Sequence, residues 1–269
     1  MKSCYSMKLP LISIVIPSYN KVKYVKKTLD SIVSQKNANF EIIIQDGGSN
    51  DGTLDIIKKY AKKYSSLIRY ESKKDGGQLD AINTGLKKAK GDIVTFICAD
   101  DVYTEGAFQS VTGHFMENTD ALWFIGSCRI VNEEDTEIGK FWTFCKNVLI
   151  RLNSYFLLLL TSNYISQPSV FITRKAYQKY GPFVGNKKFV YEYDMWLTLG
   201  KVKMPFVIKK YLSNFRISTD NISSVSYNDL FEFDLQVVAN NTNNPIFILT
   251  HRFNNYLRVL ARKMISYFV

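Results

Sequence analysis

Several features that would identify other classes of protein are missing from this chain of 269 residues. Its four cysteines (Cys4, Cys98, Cys128 and Cys145) show no CxxC spacing, so they predict reduced thiols and neither a disulfide framework nor a zinc site. Residues 1–10 are polar and lack the apolar core of a signal peptide. No uninterrupted apolar stretch approaches the roughly 20 residues that span a bilayer. We therefore expect a cytoplasmic protein.

Acidic side chains are absent from two long stretches, although the chain carries 24 Asp and Glu against 35 Lys and Arg. Residues 138–191 and residues 235–269 contain Lys and Arg but no acid. A net charge of +11 concentrated in this way favours an anionic partner such as nucleic acid, anionic lipid or a phosphorylated substrate. The positive charge is the only feature that favours nucleic acid, because the chain shows no nucleic-acid-binding motif. We therefore expect no nucleic-acid partner.

The first half of the chain alternates short β-branched runs with helical stretches. Strands are predicted at 11–16, 40–45, 67–71 and 92–97, and helices near 21–35, 53–64, 78–89 and 105–117. Repeated strand–helix units predict an α/β fold whose mainly parallel sheet is flanked by helices, with right-handed crossovers.

The second half of the chain is less regular. Further strands are predicted at 121–131, 138–144, 169–173, 205–208 and 211–217, and helices at 147–160, 174–180 and 192–200. After an Asn-rich break at 240–245, apolar residues recur at three- and four-residue spacing from Ile246 to Phe268, with basic residues between them. This pattern predicts a basic amphipathic helix that either packs on the domain or lies at a membrane surface.

Two acidic loops follow directly after predicted strands. The first contains Asp46 and Asp51, and the second is Asp100-Asp101. Ligands of open parallel sheets bind outside the carboxyl ends of the strands, so these carboxylates face one crevice. Clustered carboxylates repel one another unless a cation joins them. A divalent metal carrying a diphosphate is the natural partner, because Mg²⁺ and Mn²⁺ prefer carboxylate oxygen and share their shell with phosphate.

Four segments, of which the second and fourth contain the two acidic loops, occur in a fixed order: SIVIPSYN (13–20), IIIQDGGSNDGT (42–53), KDGGQLDAINTG (74–85) and KGDIVTFICADD (90–101). Together they resemble the donor half of the family 2 inverting glycosyltransferases, which have the GT-A fold. ISQPSVFITRKAYQKYGPF, YEYDMWLTL and FRIS resemble the acceptor half. The resemblance implies a GT-A domain over 1–240, with a nucleotide-sugar half at about 10–118 and a smaller mixed acceptor half at 119–240. The C-terminal helix would occupy 241–269.

The resemblance also implies a pocket for a nucleotide-sugar, most simply a UDP-sugar. The base and ribose would lie against the end of the first strand and the first acidic loop, and the sugar and diphosphate against the two later segments. The implied donor-binding residues are Pro17, Ser18, Tyr19, Asn20, Asp46, Gly47, Ser49, Asp51, Asp75, Gly77, Gln78, Asp80, Asn83, Ala99 and Asp100.

By the same resemblance, Asp100 would hold Mn²⁺ or Mg²⁺ as the last member of a DxD motif, with Asp101 beside it. The metal would bridge the diphosphate oxygens and neutralise the departing nucleoside diphosphate. The first DxD position is Cys98 in this chain, and a protonated thiol is a poor ligand for a hard cation. The metal preference therefore stays open, with Asp100, Asp101, diphosphate and water as the expected ligands.

An inverting transfer needs a base on the face of the sugar opposite the leaving group. The segment YEYDMW resembles the part of the family that supplies this base, which indicates Glu192, with Asp194 as the alternative. Positions i and i+2 of a helix do not share a face, so we expect only one of the two to reach the site. On the acceptor side the candidates are Gln167, Trp196 and Arg216, whose guanidinium would suit a phosphate.

The sequence thus predicts a metal-dependent hexosyl- or N-acetylhexosaminyltransferase that modifies a glycan or a polyprenyl-diphosphate-linked acceptor. It would act in cell-surface polysaccharide synthesis, such as capsule or O-antigen, peripherally on the cytoplasmic face of the inner membrane. Two alternatives stay open. A nucleotidyltransferase would need a Gly-rich basic loop where Pro17-Ser18-Tyr19-Asn20 stands. A degenerate nucleotide-sugar-binding or scaffold protein is suggested by Cys98.

Overall fold

The structure, a computed structural model, describes residues 9–152, 155–185, 191–218 and 227–265. Within this part of the chain eight strands form one sheet. The strands are β1 (Leu11–Ser18), β2 (Asn39–Asp46), β3 (Ile68–Ser72), β4 (Ile93–Phe96), β5 (Val102–Tyr103), β6 (Trp123–Val131), β7 (Val170–Thr173) and β8 (Phe206–Arg216). Their order across the sheet is β3-β2-β1-β4-β7-β6-β8-β5.

Ten α-helices and one short 3₁₀ turn, Gln167–Ser169, surround the sheet in the described residues. The helices are α1 (Val25–Val33), α2 (Thr53–Lys63), α3 (Gln78–Lys88), α4 (Ala107–Glu117), α5 (Lys140–Arg151), α6 (Phe156–Thr161), α7 (Arg174–Tyr180), α8 (Tyr191–Val202), α9 (Tyr227–Asn241) and α10 (Pro245–Ile265).

The predicted parallel sheet forms in the first half of the chain. Strands β3, β2, β1 and β4 are all parallel, whereas β7 runs antiparallel to both β4 and β6. In the register of β1 and β2, Ser18 lies opposite Asp46, and Val15 of β1 lies opposite Phe96 of β4. The three strands therefore end at one edge of the sheet, and the loops that follow them open on the same side.

Helices cover both faces of this sheet because successive side chains of a buried strand point to opposite faces. Val15 and Ile43 pack in one apolar core with α3 and α8, and Ile14 and Ile42 pack in the other with α1, α2 and α4. Strands buried on both faces need continuous apolar sequences, which is what the runs in β1 and β2 provide.

The second half of the chain corrects several predictions. The strand predicted at 138–144 is wrong, because α5 begins at Lys140, and its buried Thr143 and Ile150 lie two turns apart on one face. The helix predicted at 147–160 is divided between α5 and α6. The two strands predicted at 205–208 and 211–217 form the single strand β8, which pairs with β6 through register shifts. Strand β5 and helix α9 have no counterpart among the predicted elements.

The C-terminal helix α10 packs on α6 and α9 through polar contacts that are themselves buried. Asp234 of α9 pairs with Arg258 of α10 and lies 3.7 Å from Nε2 of His251. The ring of His251 stacks on Tyr193 of α8. Among the described residues, no helix combines the length and the apolar character that crossing a membrane requires.

Candidate active site

The loops that follow β1 and β2 are held together by hydrogen bonds. The backbone N–H of Asn20 donates to Oγ of Ser49 (2.9 Å), and the N–H of Asn50 donates to the side-chain oxygen of Asn20 (3.0 Å). Asp51 accepts from the N–H of Val22 (3.0 Å) and also from the N–H and hydroxyl of Thr53, at the start of α2. Asn20 and Asp51, both expected near the donor, thus fix the shape of the two loops.

Asp46 shapes the same region from the inside. Its carboxylate is buried and accepts hydrogen bonds from the N–H groups of Gly48 (3.2 Å) and Ser49 (3.0 Å) and from the hydroxyls of Ser49 and Ser72. In this structure the carboxylate expected to receive a base or ribose is occupied by its own loop and by the end of β3.

Three residues expected at the donor pocket lie beside one another at the rim of the crevice. A Cβ placed on Gly47 would lie 3.3 Å from Cδ2 of Tyr19 and 3.4 Å from the carboxylate of Asp75. Tyr19 is 60% exposed, which is unusual for a large ring next to buried strands. A side chain at residue 47 would crowd both this ring and the carboxylate of Asp75. Asp75 and Asp80 in turn hold the backbone of Gly77 and Gly76 at the start of α3.

Asp100 and Asp101 lie after β4, deep in the crevice. One ligand atom from each of these residues and from Cys98 can be chosen so that all three lie within 4.8 Å of one another. Nζ of Lys21 lies 2.7 Å from Oδ2 of Asp100. Oδ1 of Asp101 accepts the backbone N–H of Arg216 (2.8 Å), and its buried Oδ2 has no hydrogen-bond partner. Such an orphaned carboxylate oxygen calls for a cation or a proton.

The carboxylates and the thiol of this group differ in how well they suit a metal ion. Burial, and then the charge of Asp100, raises the pKa of Asp101 well above its ordinary value. Burial, followed by the charges of Asp101 and Asp100, raises the pKa of Cys98 as well, so its thiol is protonated at neutral pH. Asp100 and Asp101 fit a hard divalent cation, whereas Cys98 does not. The thiol instead accepts a hydrogen bond from Gln78 (2.9 Å).

Glu192 lies in the first turn of α8 and is partly buried. Burial, with a smaller contribution from the charge of Asp234, raises its pKa from 4.5 to about 7. The ring of Tyr191, the residue before Glu192, lies 6.3 Å from the ring of Phe96 at the end of β4, so α8 begins beside the strand that the acidic pair follows. A carboxylate that titrates near neutral pH is suited to accept a proton.

Asp194, the alternative base, lies in a different environment. Its side chain is partly buried, and burial raises its pKa, while a hydrogen bond with Asn241 of α9 opposes that rise. The Asn241 contact directs Asp194 towards α9, as the separation of i and i+2 positions predicts.

The expectation that Arg216 binds a phosphate does not agree with its position. The residue is fully buried, and its Nε donates to the carbonyl oxygen of Asp100 (2.9 Å). Its terminal nitrogens donate to the carbonyl of Asn132 (2.8 Å) and pair with Asp135. Because these partners surround the guanidinium, Arg216 is a structural link between β8, the acidic loop and the turn after β6, and does not face a ligand.

The two other acceptor-side candidates also have structural roles. Trp196 is buried and stacks on Trp123, with ring centroids 5.5 Å apart, so it is a core residue and not a sugar platform. Nε2 of Gln167 donates to the carbonyl of Phe96 at the end of β4 (2.6 Å). On the donor side, Asn83 exchanges two hydrogen bonds with the backbone of Phe183. These residues hold the walls of the crevice in place.

Lys21 is the site residue that the sequence reasoning missed. It follows Asn20 directly, but a single lysine in a basic chain gives no signal of its own. Only the fold of the β1–α1 loop brings its ammonium group to Asp100, where the two side chains are largely shielded from solvent.

Comparisons with known proteins identify the family of the chain. The family profile described as glycosyl transferase family 2 matches residues 13–181. An uncharacterised glycosyltransferase of Rickettsia prowazekii is 27% identical over 231 residues, which are 84% of this chain and 70% of that protein. TuaG of Bacillus subtilis, provisionally named as a teichuronic acid biosynthesis glycosyltransferase, is 31% identical over 132 residues, 49% of this chain and 52% of its own.

Two solved structures share the fold. Residues 1–349 of Staphylococcus aureus TarS, crystallised with UDP-GlcNAc, superpose with a TM-score of 0.68 at 19% identity, covering 92% of this chain and 72% of the other. The mannosyltransferase PcManGT of Pyrobaculum calidifontis, crystallised with GDP-Man and Mn²⁺, gives a TM-score of 0.69 at 15% identity, covering 97% and 73%. The sheet and helices of this chain therefore form a GT-A fold.

Proposed function

Because the chain belongs to glycosyl transferase family 2, we propose that it moves a sugar from a nucleotide-sugar to a hydroxyl of a glycan or lipid-linked acceptor, with inversion at the sugar carbon. The observation that supports the proposal is the buried pair Asp100-Asp101 after the parallel strands, with α8 beginning beside the end of β4. Glu192, whose pKa is about 7, lies in the first turn of that helix.

Glu192 acts as the base of the transfer. Its carboxylate accepts the proton of the acceptor hydroxyl while the hydroxyl oxygen attacks the sugar carbon and the bond to the diphosphate oxygen breaks. The electron pair of that bond leaves with the nucleoside diphosphate. A pKa near the working pH keeps much of Glu192 ionised and still basic enough to take the proton.

Asp100 and Asp101 would hold a divalent cation, Mn²⁺ or Mg²⁺. When bound, the cation supplies positive charge that stabilises the departing diphosphate. The unpartnered Oδ2 of Asp101 supports this assignment, as does the Mn²⁺ found with the archaeal mannosyltransferase. The neutral thiol of Cys98 leaves the site with two protein carboxylates, so much of the metal's shell would come from diphosphate and water.

The donor we propose is a UDP-sugar that carries a hexosyl or N-acetylhexosaminyl group. The exposed ring of Tyr19, beside Gly47, offers a stacking surface for the base. The UDP-GlcNAc bound to TarS supports uridine, although the GDP-Man bound to PcManGT makes guanosine the first alternative to test.

The acceptor we propose belongs to a cell-surface polysaccharide, and the similarity to TuaG supports this. Residues 138–191, which include Gln167 and the helices on the acceptor side, contain no acidic side chain. Such a region favours an anionic acceptor such as a polyprenyl-diphosphate-linked glycan. The enzyme would then work at the cytoplasmic face of the membrane.

The test is a panel of nucleotide-sugars incubated with the purified protein, reading released nucleoside diphosphate with and without chelator. We expect release from one donor, lost on chelation. Glu192→Gln should abolish transfer and keep donor binding, whereas the matched variant Asp194→Asn should keep most transfer. Equal loss in both variants, or loss of donor binding in Glu192→Gln, would contradict the assignment of the base.

A second candidate function is motivated by Cys98, which replaces a carboxylate at the acidic site by a neutral thiol. In this case the chain would bind a nucleotide-sugar without transferring it. The same panel distinguishes the two, since a binding protein releases no diphosphate from any donor while it still binds the nucleotide.

A further inference from the structure

Helix α5 leaves one apolar face uncovered. Phe141, Phe144, Val148 and Leu152 are all exposed, and their spacing of three and four residues places them on one side of the helix. The opposite side, with Ile150, packs into the core. Phe144 is 64% exposed, which is exceptional for a phenylalanine in a folded domain. This face was not predicted, because the sequence favoured a strand here.

Helix α10 leaves a second apolar face uncovered. Ile246, Leu249, Phe253, Leu257 and Leu260 are exposed at the same helical spacing, while the opposite side of α10 is buried against α6 and α9. The helix is therefore anchored on the domain and still presents a full apolar stripe outward. A stripe that remains exposed after the helix has packed needs a partner outside the described fold.

Helix α6 follows α5 in the chain and packs on α10. It begins a few residues after α5 ends, with Tyr155 and Leu157 exposed. At its other end, Nδ1 of His251 lies 3.1 Å from the carbonyl oxygen of Leu160 and Asn254 donates to the carbonyl of Thr161 (2.9 Å), which fixes α10 alongside. Twelve of the nineteen large hydrophobic side chains that are exposed in the described residues lie on α5, α6 and α10 or at their ends.

The charges around these faces indicate the kind of partner. Lys140 and Arg151 on α5 and Arg252 on α10 are exposed, and residues 138–191 and 235–269 contain no acid. Exposed phenylalanine and leucine on helices whose own charges are all positive match an interface between water and anionic lipid headgroups. We propose that α5, α6 and α10 together form one docking face for an anionic membrane surface.

This inference rests on the proposed function, and it adds how the enzyme would lie relative to the bilayer. Helix α6 packs on α8, where the hydroxyl of Tyr193 donates to the carbonyl of Leu159 (2.7 Å). Glu192 is the neighbouring residue of α8. A docking face on α6 would therefore hold α8, the helix that carries the base, one helix away from the bilayer, where a lipid-linked acceptor would present its hydroxyl.

The experiment is flotation of the full chain with vesicles of phosphatidylcholine alone and of phosphatidylcholine with an equal part of phosphatidylglycerol. We expect binding to the anionic vesicles only, weakened by added salt. Phe144→Ser on α5 and Phe253→Ser on α10 should each reduce it by about tenfold, since each removes one inserted ring. Met116→Ser is the matched control, because Met116 is an exposed apolar residue of α4, 38% accessible and away from this face.

Three outcomes would overturn the proposal. Binding lost in Phe253→Ser but intact in Phe144→Ser would confine the contact to α10. Equal binding to both vesicles would remove the role of the basic residues. Absence of vesicle binding, together with a dimer that both variants dissociate in sedimentation, would make the face a contact between two copies of the chain.

A control in solution separates this inference from the proposed transfer. Release of nucleoside diphosphate from the donor, measured without vesicles, should be equal in the wild type, Phe144→Ser and Phe253→Ser. If the wild type releases none, the proposed function is in error and the vesicle result still stands. If release is normal and vesicle binding is absent, only the docking face is in error.

Discussion

Glu192 should make the protein less stable at the pH at which it is active. Its pKa is about 7 in the folded state and ordinarily 4.5, because burial disfavours its charge. The folded state therefore binds more protons than the unfolded state between these values, and the free energy of unfolding falls as pH rises from about 4.5 to 7. At 1.36 kcal/mol for each pKa unit, and allowing for partial exposure, the loss is about 2 kcal/mol.

Glu192→Gln removes this titration. Relative to the wild type, we expect the variant to gain about 2 kcal/mol of stability between pH 5 and pH 8, while it loses transfer. Urea unfolding at the two pH values measures the gain. In the wild type, kcat/KM should rise with pH and level off above about pH 7, as the carboxylate ionises.

Asp194→Asn is the control for both measurements. The Asp194 carboxylate is partly buried and forms a hydrogen bond with Asn241. Asp194→Asn should therefore change the pH dependence of stability less than Glu192→Gln does, and the variant should keep its transfer activity. A Glu192→Gln variant whose stability relative to the wild type is the same at pH 5 and pH 8 would refute the burial argument. An active Glu192→Gln variant would refute the assignment of the base.

Three further substitutions test the rest of the crevice. Lys21→Gln removes the ammonium group that lies 2.7 Å from Asp100. Mn²⁺ should then bind the nucleotide-free protein about tenfold more tightly in an electron paramagnetic resonance titration. Unchanged affinity would show that Lys21 does not compete with the metal for that oxygen. Cys98→Asp adds a third carboxylate, so it should also tighten Mn²⁺ binding and should lower the melting temperature of the metal-free protein. Neither change is expected if residue 98 lies too far from the metal to bind it. Trp196→Ala empties a core position stacked on Trp123 and should cost about 3–5 kcal/mol in urea unfolding, whereas normal stability with a raised acceptor KM would return the ring to the acceptor site.

The donor half could be predicted from the sequence because its signals are local. Strands β1, β2 and β4 are continuous apolar runs, each ended by a turn or an acidic loop, and such runs predict buried parallel strands whatever surrounds them. The position of Asp100-Asp101 at the end of β4 follows from the same pattern. Glu192 could be selected over Asp194 only by resemblance, since both lie in the first turn of one helix.

Other features were decided by contacts between distant parts of the chain. The aromatic residues at 141–144 fit a strand or a helix equally well, and α5 forms because Thr143 and Ile150 find cover on one side. The sequence predicted that Arg216 binds a phosphate, but carbonyls from the turn after β6 and from Asp100 surround its guanidinium.

The sequence by itself therefore determined the four parallel strands of the first half of the chain, the family motifs and the acidic residues after those strands, because periodicity and turn chemistry act over a few residues. Tertiary structure decided which charges are buried and which apolar faces stay open. The pairing of Lys21 with Asp100 and the exposed faces of α5 and α10 depend on residues that only folding brings together.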